Sequence, residues 1–184
     1  RNSWGSNWGD GGYFWISYCD TSLANSNNNV VFINADSTSN YDNIYQYDLL
    51  GMTGCSGYGY GYAGWGANIF TARNDEYLAA VGSYFLGSGN IKVYVYKGPK
   101  NSPTQGNLAN EKELRISQPG YHTIVLDEPI LVTAGETFSV VIMYYLQNTS
   151  TPIPIETASA NSDYSKAHPG ESFQSQYGYN WTDL

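Results

Sequence analysis

The sequence predicts an all-β protein whose main body is an antiparallel β-sandwich of the jelly-roll kind. Aromatic and β-branched residues, which favour strands, are abundant, and the chain contains 18 tyrosines. Runs of the helix-forming residues Ala, Leu, Glu and Lys are scarce. Short apolar segments are separated by turns rich in Gly and Pro, which is typical of sandwiches. The 184 residues suffice for one domain of ordinary size and a small appendage.

The first elements are expected to be short. Residues 13–18 are aromatic and β-branched, which predicts a strand that completes a short hairpin over residues 1–18. A polar, Asn-rich connection follows, and a new apolar segment begins at Val30. Residues 57–66 alternate Gly with aromatic side chains, and these glycines argue against a stiff element there.

Longer strands are predicted in the middle of the chain, at residues 76–85 and 91–97. The second of these strands alternates in character along its length, so it presents an apolar face and a polar or aromatic face. The first face carries Ile91, Val93 and Val95, and the second carries Lys92, Tyr94 and Tyr96.

The remaining strands are separated by a long irregular stretch. Residues 98–120 hold several Pro and Gly residues, which predicts a surface excursion with a short strand around Leu114. Residues 121–126 form a further predicted strand, and residues 130–132 lead into a turn. The segment 136–145 is the most apolar of all, so we expect it at the centre of a sheet.

Composition and charge disfavour several classes of function. The formal net charge is −8, from 16 acidic and 8 basic side chains, and no basic run favours nucleic-acid binding. No stretch approaches the ~18 apolar residues of a membrane span. The acidic, Asn- and Ser-rich composition is typical of a secreted or surface-exposed protein, and nothing in the sequence predicts a cofactor.

The opening of the chain carries a motif of rare residue types at fixed spacing: Asn2, Ser3, Trp4, Gly5, Trp8, Gly9, Gly12 and Tyr13. This motif resembles the C-terminal end of a papain-like cysteine peptidase. The resemblance implies that Asn2 orients the catalytic His, which in turn activates the Cys nucleophile. It also implies that Trp4 covers the Asn–His hydrogen bond and excludes water from it.

The other members of that active site are not found at the expected positions. The cysteines are Cys19 and Cys55 and the histidines are His122 and His168, and all four follow Asn2. In papain-like enzymes the Cys and the His precede the Asn. We therefore expect the parent protein to be a cysteine endopeptidase, and this chain alone to be inactive because it lacks the catalytic Cys and His.

The rest of the chain resembles the lectin-like domain that follows papain-like peptidase domains in secreted proteins of anaerobic bacteria and archaea. The resemblance implies two domains, with residues 1–22 as the last hairpin of the peptidase and residues 23–184 as a lectin-like β-sandwich. It is carried by residues 41–48, 67–70, 91–96, 120–124 and 134–140 and by the closing residues 171–184.

These resemblances imply an extracellular or cell-surface accessory domain that docks to the catalytic domain or to surface glycans. Its partners would be the upstream peptidase domain or chain, the peptide substrate of the parent enzyme, and a glycan. Two alternatives remain open. The chain could be the smaller chain of a two-chain cysteine peptidase, or a free-standing carbohydrate-binding module.

The Gly-rich loop contains the candidate carbohydrate-binding residues Tyr58, Tyr60, Tyr62 and Trp65. Apolar faces of sugars stack on exposed rings, and glycines allow a loop to present such rings. The competing interpretation is that the rings pack onto the sheet, where the glycines only permit the turn. Exposed rings could equally contact the peptidase domain.

Acidic residues could in principle bind Ca²⁺, whose sites need six to eight oxygen ligands. The candidates are Asp42, Asp48, Asp75 and Glu76, but no calcium-loop spacing is present. Solvated acids or turn caps are the better interpretation, so no metal site is predicted.

The cysteines and histidines have ordinary structural interpretations. A disulfide between Cys19 and Cys55 and a pair of reduced thiols both remain open. His122 is predicted to be a packed or surface residue of a strand, and His168, before Pro169, a loop residue.

Overall fold

The computed structural model describes residues 40–157 and 168–184, together with residues 7, 10, 11 and 37. The chain divides into two compact units, Arg1–Ile44 and Tyr45–Leu184. In the first unit, the backbone N–H of Asn40 donates to the carbonyl of Ser37 at 3.1 Å. The predicted strand at residues 13–18, and with it Asn2 and Trp4, lies outside the described residues.

The described part of the second unit contains strands and no helix, which confirms the all-β, antiparallel prediction. The strands are β1 (Gly54–Ser56), β2 (Gly64–Thr71), β3 (Glu76–Phe85), β4 (Gly89–Lys97), β5 (Asn107–Ile116), β6 (Gly120–Val132), β7 (Thr137–Leu146), β8 (Ile153–Ile155), β9 (Ser172–Ser175) and β10 (Thr182–Asp183).

The strands form a six-stranded sheet, a two-stranded sheet and a separate short pair. The large sheet has the order β10-β9-β2-β7-β4-β5, the small sheet pairs β3 with β6, and β1 pairs with β8. The neighbours are antiparallel throughout. Because β7 lies between β2 and β4, the prediction that residues 136–145 occupy the centre of a sheet is confirmed.

The main core lies between the large and small sheets. In β4, Ile91, Val93 and Val95 are fully buried, whereas the alternate residues are only partly buried, as the period of two predicted. Apolar side chains of both sheets meet in one cluster, in which Phe85 of β3 packs near Tyr144 of β7. The two layers therefore form a sandwich.

The start of the domain packs against a second apolar cluster. The ring of Tyr47 stacks on Phe70, with centroids 4.8 Å apart, and the ring of Tyr45 meets Phe138 edge-on at 5.2 Å. The Tyr47 hydroxyl donates to the carbonyl of Ile69 at 2.6 Å. These contacts fix the segment that enters the sandwich.

Strand β5 corrects the prediction of a surface excursion with only a short strand around Leu114. Residues 107–116 form a full strand that pairs with β4 along its length. Its sequence is rich in charged residues and poor in β-branched ones, so the sequence pattern did not indicate a full strand there. The charges are tolerated because β5 is an edge strand, and Lys92 on β4 pairs with Glu113 at 3.0 Å.

Strand β2 corrects the prediction that residues 57–66 avoid regular structure, because it already begins at Gly64. Glycine is required there for packing. A Cβ atom at Gly64 would lie 2.7 Å from Cγ1 of Ile153, a side chain of the main core. The glycines at this end of the loop therefore permit close packing of a strand.

Candidate functional site

The four candidate rings of the Gly-rich loop do not share one surface. Tyr58 is partly buried against the main core, while Tyr60 and Tyr62 are 73% and 57% exposed. Trp65 lies in β2 and belongs to a different cluster. The structure thus separates Trp65 from Tyr58 and leaves Tyr60 and Tyr62 as the exposed rings of this loop.

Trp65 contributes instead to the face of the large sheet that points away from the main core. Its ring stacks on Tyr94, with centroids 5.7 Å apart and planes 18° from parallel. Tyr94 stacks in turn on Tyr96 at 6.3 Å. With Trp181, which packs in the same cluster, these rings define what we call the outer aromatic face.

The hydroxyls of the outer aromatic face stay neutral at physiological pH. Burial raises the pKa of Tyr94 and of Tyr96, and the negative charge of Glu111 raises both further. Charged side chains border these hydroxyls, because Lys92 pairs with Glu111 and Glu113 beside Tyr94.

Part of the outer aromatic face is covered by the segment that follows β4. The fully buried Ser139 donates its hydroxyl to the carbonyl of Pro103 at 2.5 Å. The indole N–H of Trp181 donates to Oγ1 of Thr104 at 3.2 Å. Both bonds fasten this segment over the sheet.

A turn after β9 carries two further exposed rings. Tyr177 and Tyr179 stack on each other, with centroids 5.6 Å apart and planes 23° from parallel, and they are 58% and 60% exposed. We call residues 176–181 the Tyr177–Tyr179 turn. Sequence reasoning missed it; the only available signal was two tyrosines flanking a glycine near the end of the chain.

The Tyr177–Tyr179 turn is held by one buried hydroxyl. Oγ of Ser175 donates to the carbonyl of Tyr179 at 2.5 Å and accepts from the N–H groups of Tyr177 at 3.2 Å and Gly178 at 3.1 Å. Ser175 is only 1% exposed. Three backbone groups of the turn are thereby satisfied at one point.

Gly178 seats the turn on the outer aromatic face. Its φ of +77° is disfavoured for other residues, and a Cβ atom there would lie 3.0 Å from the ring of Trp65. The backbone therefore lies directly against the indole of Trp65, and the two exposed tyrosines flank that contact.

The sequence model of the family described as "Lectin like domain" matches residues 44–184. The chain belongs to this family. The match begins next to Tyr45, the first residue of the second compact unit. The boundary between residues 1–22 and 23–184 stays a prediction.

Two solved structures resemble the lectin-like domain. One contains the cysteine protease and lectin-like domains of Cwp84, a surface layer associated protein of Clostridium difficile, with a TM-score of 0.49 and 20% identity. The alignment covers 66% of this chain and 28% of that chain. The other is the clostridial cysteine protease Cwp84 after propeptide cleavage, with a TM-score of 0.48, 20% identity, and coverage of 66% and 31%. The chain thus spans about a third or less of those proteins. No curated protein matches it.

The acidic candidates of the lectin-like domain serve separate local roles. Oδ1 of Asp75 accepts from the N–H of Ala134 at 2.8 Å, and Glu76 accepts from the hydroxyl of Tyr45. Asp42 is exposed in the other unit. Within the described residues, His, Cys, Asp and Glu side chains form no group of three or more that could hold a metal ion.

Asp48 lies in an unfavourable environment for a carboxylate. Although Asp48 is exposed at the surface, partial desolvation by neighbouring atoms raises the pKa of its carboxyl, and the charge of Glu156 raises it further. Oε2 of Glu156 accepts from the N–H of Leu50 at 3.0 Å, while Oε1 is buried without a hydrogen-bond partner among the described residues.

The histidines of the lectin-like domain occupy structural positions. Nε2 of His122, on β6, bonds the carbonyl of Gln118 at 2.8 Å, and its ring packs edge-on against Phe85. His168 is exposed in a loop, where its backbone N–H donates to Glu171. Both agree with their predicted settings in a strand and a loop.

Cys55 is an exposed residue of β1, and its sulfur accepts a hydrogen bond from Oγ1 of Thr151 at 3.2 Å. Cys19 lies outside the described residues. No helix in the described ranges is long and apolar enough to cross a membrane.

Proposed function

We propose that this lectin-like domain is the accessory domain of a secreted papain-like cysteine peptidase, and that Asn2 and Trp4 belong to the active site of that enzyme. The observation that carries the proposal is the motif that opens the chain, because it stands in the same polypeptide as the lectin-like match at residues 44–184.

In the proposed enzyme, the side-chain carbonyl of Asn2 accepts a hydrogen bond from the catalytic imidazole. This bond holds the ring in the orientation that lets it take the proton of the Cys thiol. Trp4 shields the bond from water, and a hydrogen bond in such an environment is electrostatically stronger. The nucleophile and the base would come from the peptidase domain.

The lectin-like domain would work outside the cell or at its surface, where it docks to the catalytic domain or to surface glycans. The exposed rings of the Tyr177–Tyr179 turn support contact with a glycan. The acidic composition disfavours binding to nucleic acids.

Replacing Asn2 by Ala in the full-length peptidase tests this function. We expect kcat to fall by about tenfold or more, with a much smaller change in KM, because the substitution misplaces the base without removing a substrate contact. Asn25→Ala, in the polar connection, is the matched control and should leave both constants unchanged. Unchanged turnover in Asn2→Ala would contradict the proposal.

A further inference from the structure

We propose that the Tyr177–Tyr179 turn is a contact site for a neutral glycan. The inference rests on the proposed function, since it names the surface through which an accessory lectin-like domain would reach surface glycans. Exposed rings, a preorganised backbone and a neutral surrounding sequence each support it.

The exposed rings are the first argument. Tyr177 and Tyr179 leave more than half of their surface in water. Aromatic rings contribute most to stability when they are buried, so two adjacent exposed rings add little to folding and are available to a ligand. The C–H faces of pyranose rings are apolar and pack on such rings, while the phenol hydroxyls can bond the hydroxyl groups of a sugar.

The rigid backbone is the second argument. Ser175 holds three backbone groups of the turn, and Gly178 lies against the ring of Trp65. Asn180 adopts the left-handed conformation, with φ of +57°, that the end of the turn requires. A ligand therefore meets rings whose backbone is already ordered, which lowers the entropic cost of binding.

The absence of charge in the segment is the third argument. Residues 172–182 contain no acidic or basic side chain, although the chain as a whole is acidic. The side chains near the rings are amides and hydroxyls, including Gln176, Asn180 and Thr182. These groups donate and accept hydrogen bonds as sugar hydroxyls do, whereas nothing in the segment would pair with a charged ligand.

The test uses the full chain and four neutral hexasaccharides as probes, namely cellohexaose, mannohexaose, laminarihexaose and hexa-N-acetylchitohexaose, titrated by calorimetry. We expect at least one to bind, and Tyr177→Ala or Tyr179→Ala to weaken that binding by about tenfold or more. Tyr177→Phe should keep binding within about threefold, because the ring face remains.

A matched control separates this site from other exposed tyrosines. Tyr77→Ala, on β3, removes a ring that is 66% exposed elsewhere and should retain binding. Tyr60→Ala, in the Gly-rich loop, tests the competing candidate site. Loss of binding in Tyr60→Ala with retention in Tyr177→Ala would overturn the assignment to this turn.

Two other results would also overturn it. One is that the unmodified chain binds none of the four probes. The other is that Tyr177→Ala leaves sugar binding intact but breaks docking to the peptidase domain, which would make the turn a protein interface. Neither result affects the Asn2→Ala test, so failure of the glycan site is distinguishable from failure of the proposed function.

Discussion

Replacing Ser175 by Ala should loosen the Tyr177–Tyr179 turn without creating a cavity. The substitution removes a single oxygen atom, and the side chain otherwise keeps its volume. The buried hydroxyl bonds one carbonyl and two N–H groups, so all three lose their partner at once.

The magnitude follows from those three bonds. A typical hydrogen bond contributes about 0.5–1.5 kcal/mol net, and a group left buried and unsatisfied costs about 1–3 kcal/mol. Tyr177 and Tyr179 are exposed, so water can reach part of the turn and replace some of the lost bonds. We therefore expect the free energy of unfolding to fall by about 2 kcal/mol. For a chain of this size, that loss corresponds to about 4–8 °C in Tm.

Thermal unfolding followed by near-ultraviolet circular dichroism measures this loss. Ser117→Ala, at an exposed serine in the loop between β5 and β6, is the matched control and should change Tm by less than about 1–2 °C. A Ser175→Ala variant with the same Tm as the unmodified protein would refute the claim that this hydroxyl holds the turn. Glycan binding, if it depends on the ordered turn, should weaken in the same variant.

Two predictions concern pH. The raised pKa of Asp48 means that ionisation of its carboxyl lowers the stability of the fold as pH rises through that pKa. Asp48→Asn should therefore raise Tm at about pH 7 and make no difference at about pH 3. A gain in Tm at both pH values would show that ionisation of Asp48 is not the reason. Burial also raises the pKa of Tyr144, so stability should fall as pH rises above the unfolded-state tyrosine pKa of about 10. Tyr144→Phe should lower Tm at about pH 8, because it loses the 2.8 Å hydrogen bond to Ser83. It should also make the fall of Tm at alkaline pH less steep. An equally steep fall would refute the claim that ionisation of Tyr144 contributes to it.

The sequence predicted the parts of the fold that depend on burial. Alternation in β4 identified its two faces, and the apolar run of β7 identified its central position, because a strand covered on both faces is mostly apolar. Strand β5 escaped prediction for the opposite reason. At the edge of the large sheet its side chains meet water, so the sequence there carries little strand signal.

The candidate site was less predictable, because it depends on contacts between distant segments. Trp65 was predicted as part of a loop, yet its neighbours are Tyr94 on β4 and Gly178 after β9. Tyr177 and Tyr179 form a pair on a turn whose backbone is bonded by the buried Ser175. A single sequence does not reveal such partners, since neither periodicity nor local composition encodes them.

The pairing of β2 has a consequence for the order of folding. Trp65 of β2 pairs with Met143 of β7 on one side and with Ser175 of β9 on the other. The large sheet therefore cannot be completed until β9 has left the ribosome. Contacts so distant in sequence require slow closure of long loops. A chain truncated before β9 would leave the edge of β2 unpaired and open to association with other molecules.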